Sequence, residues 1–162
     1  TGGAREIVPF ELTWLNEIFG EPKPIACMKA KLSDMDADID DVYHCLLRYP
    51  EGLLANLTID VISRPRAIRE LHIIGTTGRL AFSDDENCVR YIAVGDENWT
   101  RIELGPGTIE QGYINPEEPY ILEIADFVNA IRVSDRMAFP NTLEKDAHIL
   151  TLLNDLEQLS VA

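Results

Sequence analysis

The stretch DVYHCLLRYPEGLLANLTID, Asp41–Asp60, decides the fold class. Two apolar-rich runs flank Pro50-Glu51-Gly52-Leu53, and Glu51-Gly52 between strand-like runs is a tight-hairpin signal. The second run alternates. Leu53, Ala55, Leu57, Ile59 and Val61 fall on one face, and Leu54, Asn56, Thr58, Asp60 and Ile62 on the other. A period of two with one apolar and one mixed face predicts an antiparallel strand with a single core-facing side.

Working outward, more strands appear. One is predicted over about Pro24–Lys31, before the acidic loop SDMDADIDD. IRELHIIG and RLAFS are separated by Thr76-Thr77-Gly78, and CVRYIAVG and NWTRIEL by Gly95-Asp96-Glu97. About seven strands joined mostly by short turns predict an open, largely antiparallel sheet. Helices bracket this block. Val8, Leu12, Leu15 and Phe19 form an apolar stripe that ends at Gly20 and Pro22, with Pro9 suited to the first turn and Gly2–Glu6 as the approach. Asn115, Pro116 and Glu118 suit a second helix start, with a stripe of Ile121, Ile124, Val128 and Ile131. The last helix begins near Asn141 or Thr142, with a stripe of Leu143, Ala147, Leu150, Leu153, Leu156 and Leu159. One helix, a block of strands and two helices predict an α+β domain with helices on one sheet face. The uncovered face predicts a homodimer built across it.

The 162 residues are 46% hydrophobic, enough for one domain with a real core. The net charge of −14 disfavours nucleic acid and anionic membranes as partners. No apolar run is long enough to cross a membrane, and no secretory leader is visible, so the chain is read as cytoplasmic. Cys27, Cys45 and Cys88 make no CxxC pair, and reduced, buried thiols are expected.

The order and wording of the segments resemble the C-terminal domain of the Gfo/Idh/MocA family, the glucose–fructose oxidoreductase and inositol dehydrogenase-like enzymes. The resemblance rests on Gly2-Gly3 leading to ELTWLNEIFGE, on the aromatic-Pro-Glu-Gly hairpin above, on LHIIGTTGRLAF, and on PYILEIADFVNAI with NTLEKDAHILTLLNDL. It implies that residues 1–162 are one α/β domain of a two-domain oxidoreductase. The missing N-terminal Rossmann domain would bind NAD or NADP. This domain would wall the substrate cleft, dimerise through its sheet, and be inactive alone. The substrate expected by resemblance is a sugar, polyol or related small hydroxy compound. The sequence itself contains no Gly-x-Gly-x-x-Gly; its GxG, Gly105-Pro106-Gly107, is read as lying before neither a helix nor a phosphate-cradling turn.

Many family members carry Asp-x-x-His-x-x-Asp after the junction glycines. Aligned on ELTWL, these positions fall on Ile7, Phe10 and Thr13, so the family's proton-transfer histidine is a phenylalanine here. The nearby polar residues are Arg5, Glu6 and Glu11. An arginine at a helix start can hold a carboxylate or phosphate, and a glutamate can take a proton. Arg5, Glu6, Phe10, Glu11 and Thr13 are therefore the candidate substrate-binding residues, with no catalytic residue assigned. A non-catalytic dimerising or ligand-binding module on the same fold is the alternative. Asp34, Asp36, Asp38 and Asp40 lack the glycine and distal glutamate of a calcium loop and are read as a solvated turn. Arg64, Arg66 and Arg69 are read as a strand-end cluster, and His44 and His72 as core or interface residues. No metal site is expected, because no histidine pair has ligand spacing.

Overall fold

The structure is a computed structural model that describes residues 3–105, 107–113 and 116–160. Gly2, Pro106 and Asn115, which figure in the expectations above, lie outside the described residues. In chain order the elements are α1 (Ala4–Phe19), β1 (Lys23–Ala30), β2 (Val42–Arg48), β3 (Leu54–Asp60), β4 (Glu70–Ile74), β5 (Gly78–Ser83), β6 (Cys88–Ala93), β7 (Thr100–Glu103), α2 (Glu118–Val133) and α3 (Leu143–Gln158). The α+β class and the seven strands agree with the sequence reading.

The strands form two sheets, where a single sheet was expected: β1-β2-β3 and β4-β5-β6-β7, antiparallel at every pairing. The division follows from side-chain chemistry at the end of β3. Asp60 accepts the amides of Ile62 at 3.0 Å and Ser63 at 2.7 Å, and the Ser63 hydroxyl at 3.0 Å. A carboxylate that captures the amides beyond it turns the chain, and Pro65 then has no N–H to give a ladder. The chain folds as two compact units, residues 1–64 with 141–162, and residues 65–140.

In the first unit the hairpin forms as read. Glu51 and Gly52 both have positive φ, 59° and 85°. The Leu53 amide donates to the Pro50 carbonyl at 3.4 Å, and the Tyr49 amide to the Leu53 carbonyl at 2.9 Å. Positive φ at both central residues is the mark of a type I′ turn, whose twist suits the flanking strands. Ala4, Val8, Leu12 and Leu15 of α1 pack with Leu47 and Ile59 of the sheet and with α3. Burying each leucine stabilises by about 1.5–3 kcal/mol. On α3 the buried positions are Ile149, Leu152, Leu153 and Leu156, whereas Leu143 and Leu150 of the expected stripe are exposed. Leucines lie on more than one side of this helix, and only contact with α1 and β1 selects the buried side. The outer sheet face carries Met28 opposite His44 and Thr58, with Leu46 opposite Ala26 and Asn56. His44 is thus an exposed strand residue, with its Nδ1 3.0 Å from the Thr58 hydroxyl.

Asp41, at the head of the deciding hairpin, is buried at 1% exposure. It accepts from the amides of Leu32 and Ser33 at 2.7 and 2.8 Å and from the Ser33 hydroxyl at 2.6 Å. These donors, the Ser33 hydroxyl foremost, hold its carboxyl below the usual aspartate range. Asp41 thereby anchors the acidic loop, whose Asp34, Asp36 and Asp38 are exposed.

In the second unit Leu71, Phe82, Val89 and Ile102 align across β4–β7 on one face, and His72, Ala81, Arg90 and Arg101 on the other. Arg90 and Arg101 face each other directly, an unfavourable like-charge pair. Glu86 bridges both, at 3.4 and 3.1 Å. Arg66 pairs with Asp85 at 2.7 Å, so this arginine is engaged in an ion pair. The α2 stripe predicted as buried is exposed at Ile121, Ile124 and Ile131; Ala130 alone is buried among the described α2 residues, and Phe127 packs edge-on against Phe139 at 5.9 Å.

Candidate functional site on the first helix

All five candidate residues lie on α1. The helix begins at Ala4, one turn earlier than the placement of Pro9 implied, so Arg5 and Glu6 belong to its first turn and Pro9 to its second. Gly3 precedes it at φ 64°. A Cβ there would lie 2.7 Å from Ile39 Cδ1 and 3.0 Å from the Asp40 carbonyl oxygen, so the tight approach admits only glycine without rearrangement. Pro9 gives no N–H to the helical ladder, and the Thr13 hydroxyl donates to the Pro9 carbonyl at 2.8 Å.

Helical spacing separates the candidates. Glu6, Phe10 and Thr13 follow at intervals of four and three, share one stripe, and are all exposed, Phe10 at 73%. Arg5 and Glu11 lie beside this stripe and are partly buried. Glu11 accepts from the Trp14 indole N–H at 2.6 Å. Arg5 forms a two-pronged pair with Glu157 of α3, Nε to Oε1 at 2.7 Å and Nη2 to Oε2 at 3.0 Å, and Nη2 also donates to Asn154 Oδ1 at 3.2 Å. The Tyr43 hydroxyl donates to the same Glu157 Oε1 at 2.8 Å.

The electrostatics follow from these bonds. Glu157 raises the Arg5 pKa, chiefly through their hydrogen bond. Burial alone would raise Glu157; the Arg5 and Tyr43 donors outweigh it and hold the carboxyl below its ordinary range. Tyr43 is pushed up, first by burial and then by donating to Glu157. A charge-assisted, forked pair is among the stronger polar contacts. A substrate anion would have to compete with Glu157 for Arg5. Sequence reasoning missed Glu157 and Tyr43. Their one signal is a polar atom carried on otherwise apolar faces, Tyr43 in β2 and Glu157 beside Leu153 and Leu156.

In the second unit an open cleft of about 320 Å³ lies near Gly75, Arg79 and Trp99. Arg90 stacks over the Trp99 ring at 5.8 Å. Neither of the buried side-chain atoms without a hydrogen-bond partner among the described residues, Asn16 Nδ2 and Glu118 Oε2, belongs to a residue lining that cleft.

The profile of the GFO/IDH/MocA C-terminal domain matches residues 1–81, which span α1, the first sheet and the start of the second. The chain belongs to the GFO/IDH/MocA C-terminal domain family. No curated protein matches it by sequence. Solved structures share its fold. An oxidoreductase from Sinorhizobium meliloti superposes with a TM-score of 0.74 at 16% identity, over 96% of this chain and 49% of that one. A 3-ketoreductase from Actinomadura kijaniata, in complex with TDP-benzene and NADP, gives 0.72 at 15% identity, over 98% and 48%. An inositol dehydrogenase homolog from Azotobacter vinelandii, complexed with NAD+, gives 0.63 at 13%, over 96% and 46%. This GFO/IDH/MocA domain therefore spans about half the length of those structures. At such identities the likeness establishes the fold alone.

Proposed function

We propose that this chain is the substrate-facing and dimerising domain of an NAD(P)-dependent oxidoreductase that acts on a sugar, polyol or related small hydroxy compound. The observation that carries the reading is the solvent-facing α1 stripe on which Phe10 and Thr13, two of the positions that the resemblance aligns with the family's polar motif, lie with the nearby candidate Glu6. The chain has no Gly-x-Gly-x-x-Gly run, the dinucleotide fingerprint of a Rossmann domain. The cofactor is assigned to a Rossmann domain outside this chain, where it would supply the hydride chemistry. On this side Phe10 is an apolar wall, Thr13 a hydrogen-bonding partner for a hydroxyl, and Glu6 the proton-handling carboxylate. The Arg5–Glu157 pair holds the turn that presents them. The domain is proposed to act in the cytoplasm.

The test uses the full-length polypeptide with NAD+ or NADP+ and a panel of polyols and sugars. Cofactor reduction is expected with at least one of them. Glu6→Gln lowers kcat about 100-fold or more if Glu6 handles the proton, and Thr13→Val raises KM. Unchanged kinetics in both variants would remove the stripe from the site. A full-length protein that binds neither cofactor overturns the oxidoreductase reading. It would favour a non-catalytic dimerising or ligand-binding module, to which Phe10 at the histidine position also points, since a phenyl ring cannot move a proton.

The dimer is proposed to form across the outer face of β1-β2-β3, where Met28, Leu46 and Leu54 are exposed at 59%, 44% and 65%. Light scattering on the eluting protein is expected to give twice the chain mass, and Leu46→Glu to halve it. A wild-type monomer, or a Leu46→Glu dimer, rejects this face.

A further inference from the structure

Cys27 and Cys45 occupy directly opposite positions on β1 and β2, and both are fully buried on the core side of the sheet. Both are free thiols. Opposed residues of an antiparallel pair lie about 4.5–5.5 Å apart at Cα. A disulfide needs about 4.4–6.8 Å. The backbone register therefore already meets the main requirement for a bridge. Cys88 is in the other sheet, paired with Ser83 and Glu103. Its thiol donates to Glu86 at 3.6 Å.

We infer that Cys27 and Cys45 are a latent redox pair, which a peroxide converts to a cross-strand disulfide joining β1 to β2. Access comes through β1, which is an edge strand of its sheet. On its outer side the described residues show a single bridge, between Cys27 itself and Ser160. The strand is also irregular between Pro24 and Ala26. Edge strands with little outer pairing open at lower free energy than central ones. In the opened state the Cys27 thiolate attacks a peroxide oxygen. The O–O bond breaks, a sulfenic acid forms and one water leaves after proton uptake. The Cys45 thiolate then attacks the Cys27 sulfur; the S–S bond forms, the S–O bond breaks, and hydroxide leaves as a second water. The two thiols lose two electrons and hydrogen peroxide gains them. While the strand is closed the pair reacts slowly. Burial pushes the Cys45 thiol up to about 12, and the thiolate is the reactive form. The device therefore responds to sustained peroxide and, once closed, is shielded from reductants.

The test treats the folded protein with hydrogen peroxide, blocks remaining thiols with an alkylating reagent under denaturing conditions, and maps the peptides by mass spectrometry. A Cys27–Cys45 link with Cys88 still alkylated is expected, and dithiothreitol should reverse it once the protein is denatured. Cys88→Ser is expected to leave the link intact, while Cys45→Ala abolishes it and leaves Cys27 as a free or over-oxidised thiol. Three alkylated cysteines after treatment, or links running through Cys88, overturn the inference. So does a Cys27–Cys45 link that appears only in denatured protein.

Discussion

Gly3 is the residue on which the start of α1 turns. Its φ of 64° and the 3.0 Å approach a Cβ would make to the Asp40 carbonyl leave no room for a side chain. Gly3→Ala is expected to cost at least about 1–2 kcal/mol from the left-handed backbone alone, read as a lower thermal midpoint. An unchanged midpoint would mean that the junction is not rigid. Gly3 was legible in sequence as part of the approach to a helix start, whereas the exposure of Phe10 and Thr13 came only with the structure. Arg5 was legible only by type. A guanidinium near a helix start fits an anion site or an ion pair equally well, and its actual partner lies 152 positions along the chain. Asp41 was hidden among the loop acids, because what distinguishes it is three donors folded around it.

At the scale of elements, α1 and α3 are joined by apolar packing and by the Arg5–Glu157–Tyr43 contact. Glu157→Gln keeps the shape but removes the charge. It is expected to cost about 1.5–3 kcal/mol, the worth of hydrogen bonds to a charged group, with a matching fall in the denaturant midpoint. A change below the error of that measurement would make the contact incidental. The hairpin was readable because turn chemistry is local: Glu51-Gly52 and a period of two suffice. The α3 face was not. Its leucines offer competing ridges, and Ile149–Leu152–Leu153–Leu156 wins only because α1 and β1 lie on that side. The α2 stripe reads as buried by periodicity alone, yet periodicity reports amphipathicity and says nothing of whether a partner element is present.

For the molecule as a whole, acidity sets a pH dependence. Asp41, Asp60 and Glu157 all titrate below their ordinary values. For Asp60, burial pushes upward and is outweighed by the Ser63 hydroxyl and the amides of Ile62 and Ser63. A carboxyl whose folded pKa is depressed adds stability above its unfolded pKa and loses it as pH falls through the folded one. Stability should therefore hold near neutrality and decline below about pH 4, the ordinary carboxylate range. Asp41→Asn should flatten that decline while lowering the neutral plateau. Thermal melts across the acid range check both, and a wild-type melting point independent of pH there would contradict the assignment. In the other direction, burial pushes Tyr49 up to about 12, so its neutral form stabilises the fold below its unfolded pKa and this contribution fades on strong alkalinisation.

By itself the sequence determined the α+β class, the seven strands, the tight hairpin at Glu51-Gly52 and the position of the α1 core stripe. These depend on neighbours a few positions apart, where residue spacing and backbone preference act directly. Only the tertiary structure decided that the strands divide into two sheets, which side of α3 is buried, that Arg5 is held by Glu157, and that Cys27 faces Cys45. Each of those depends on groups distant in sequence that meet only after the chain has closed, where packing and register choose among locally equivalent arrangements.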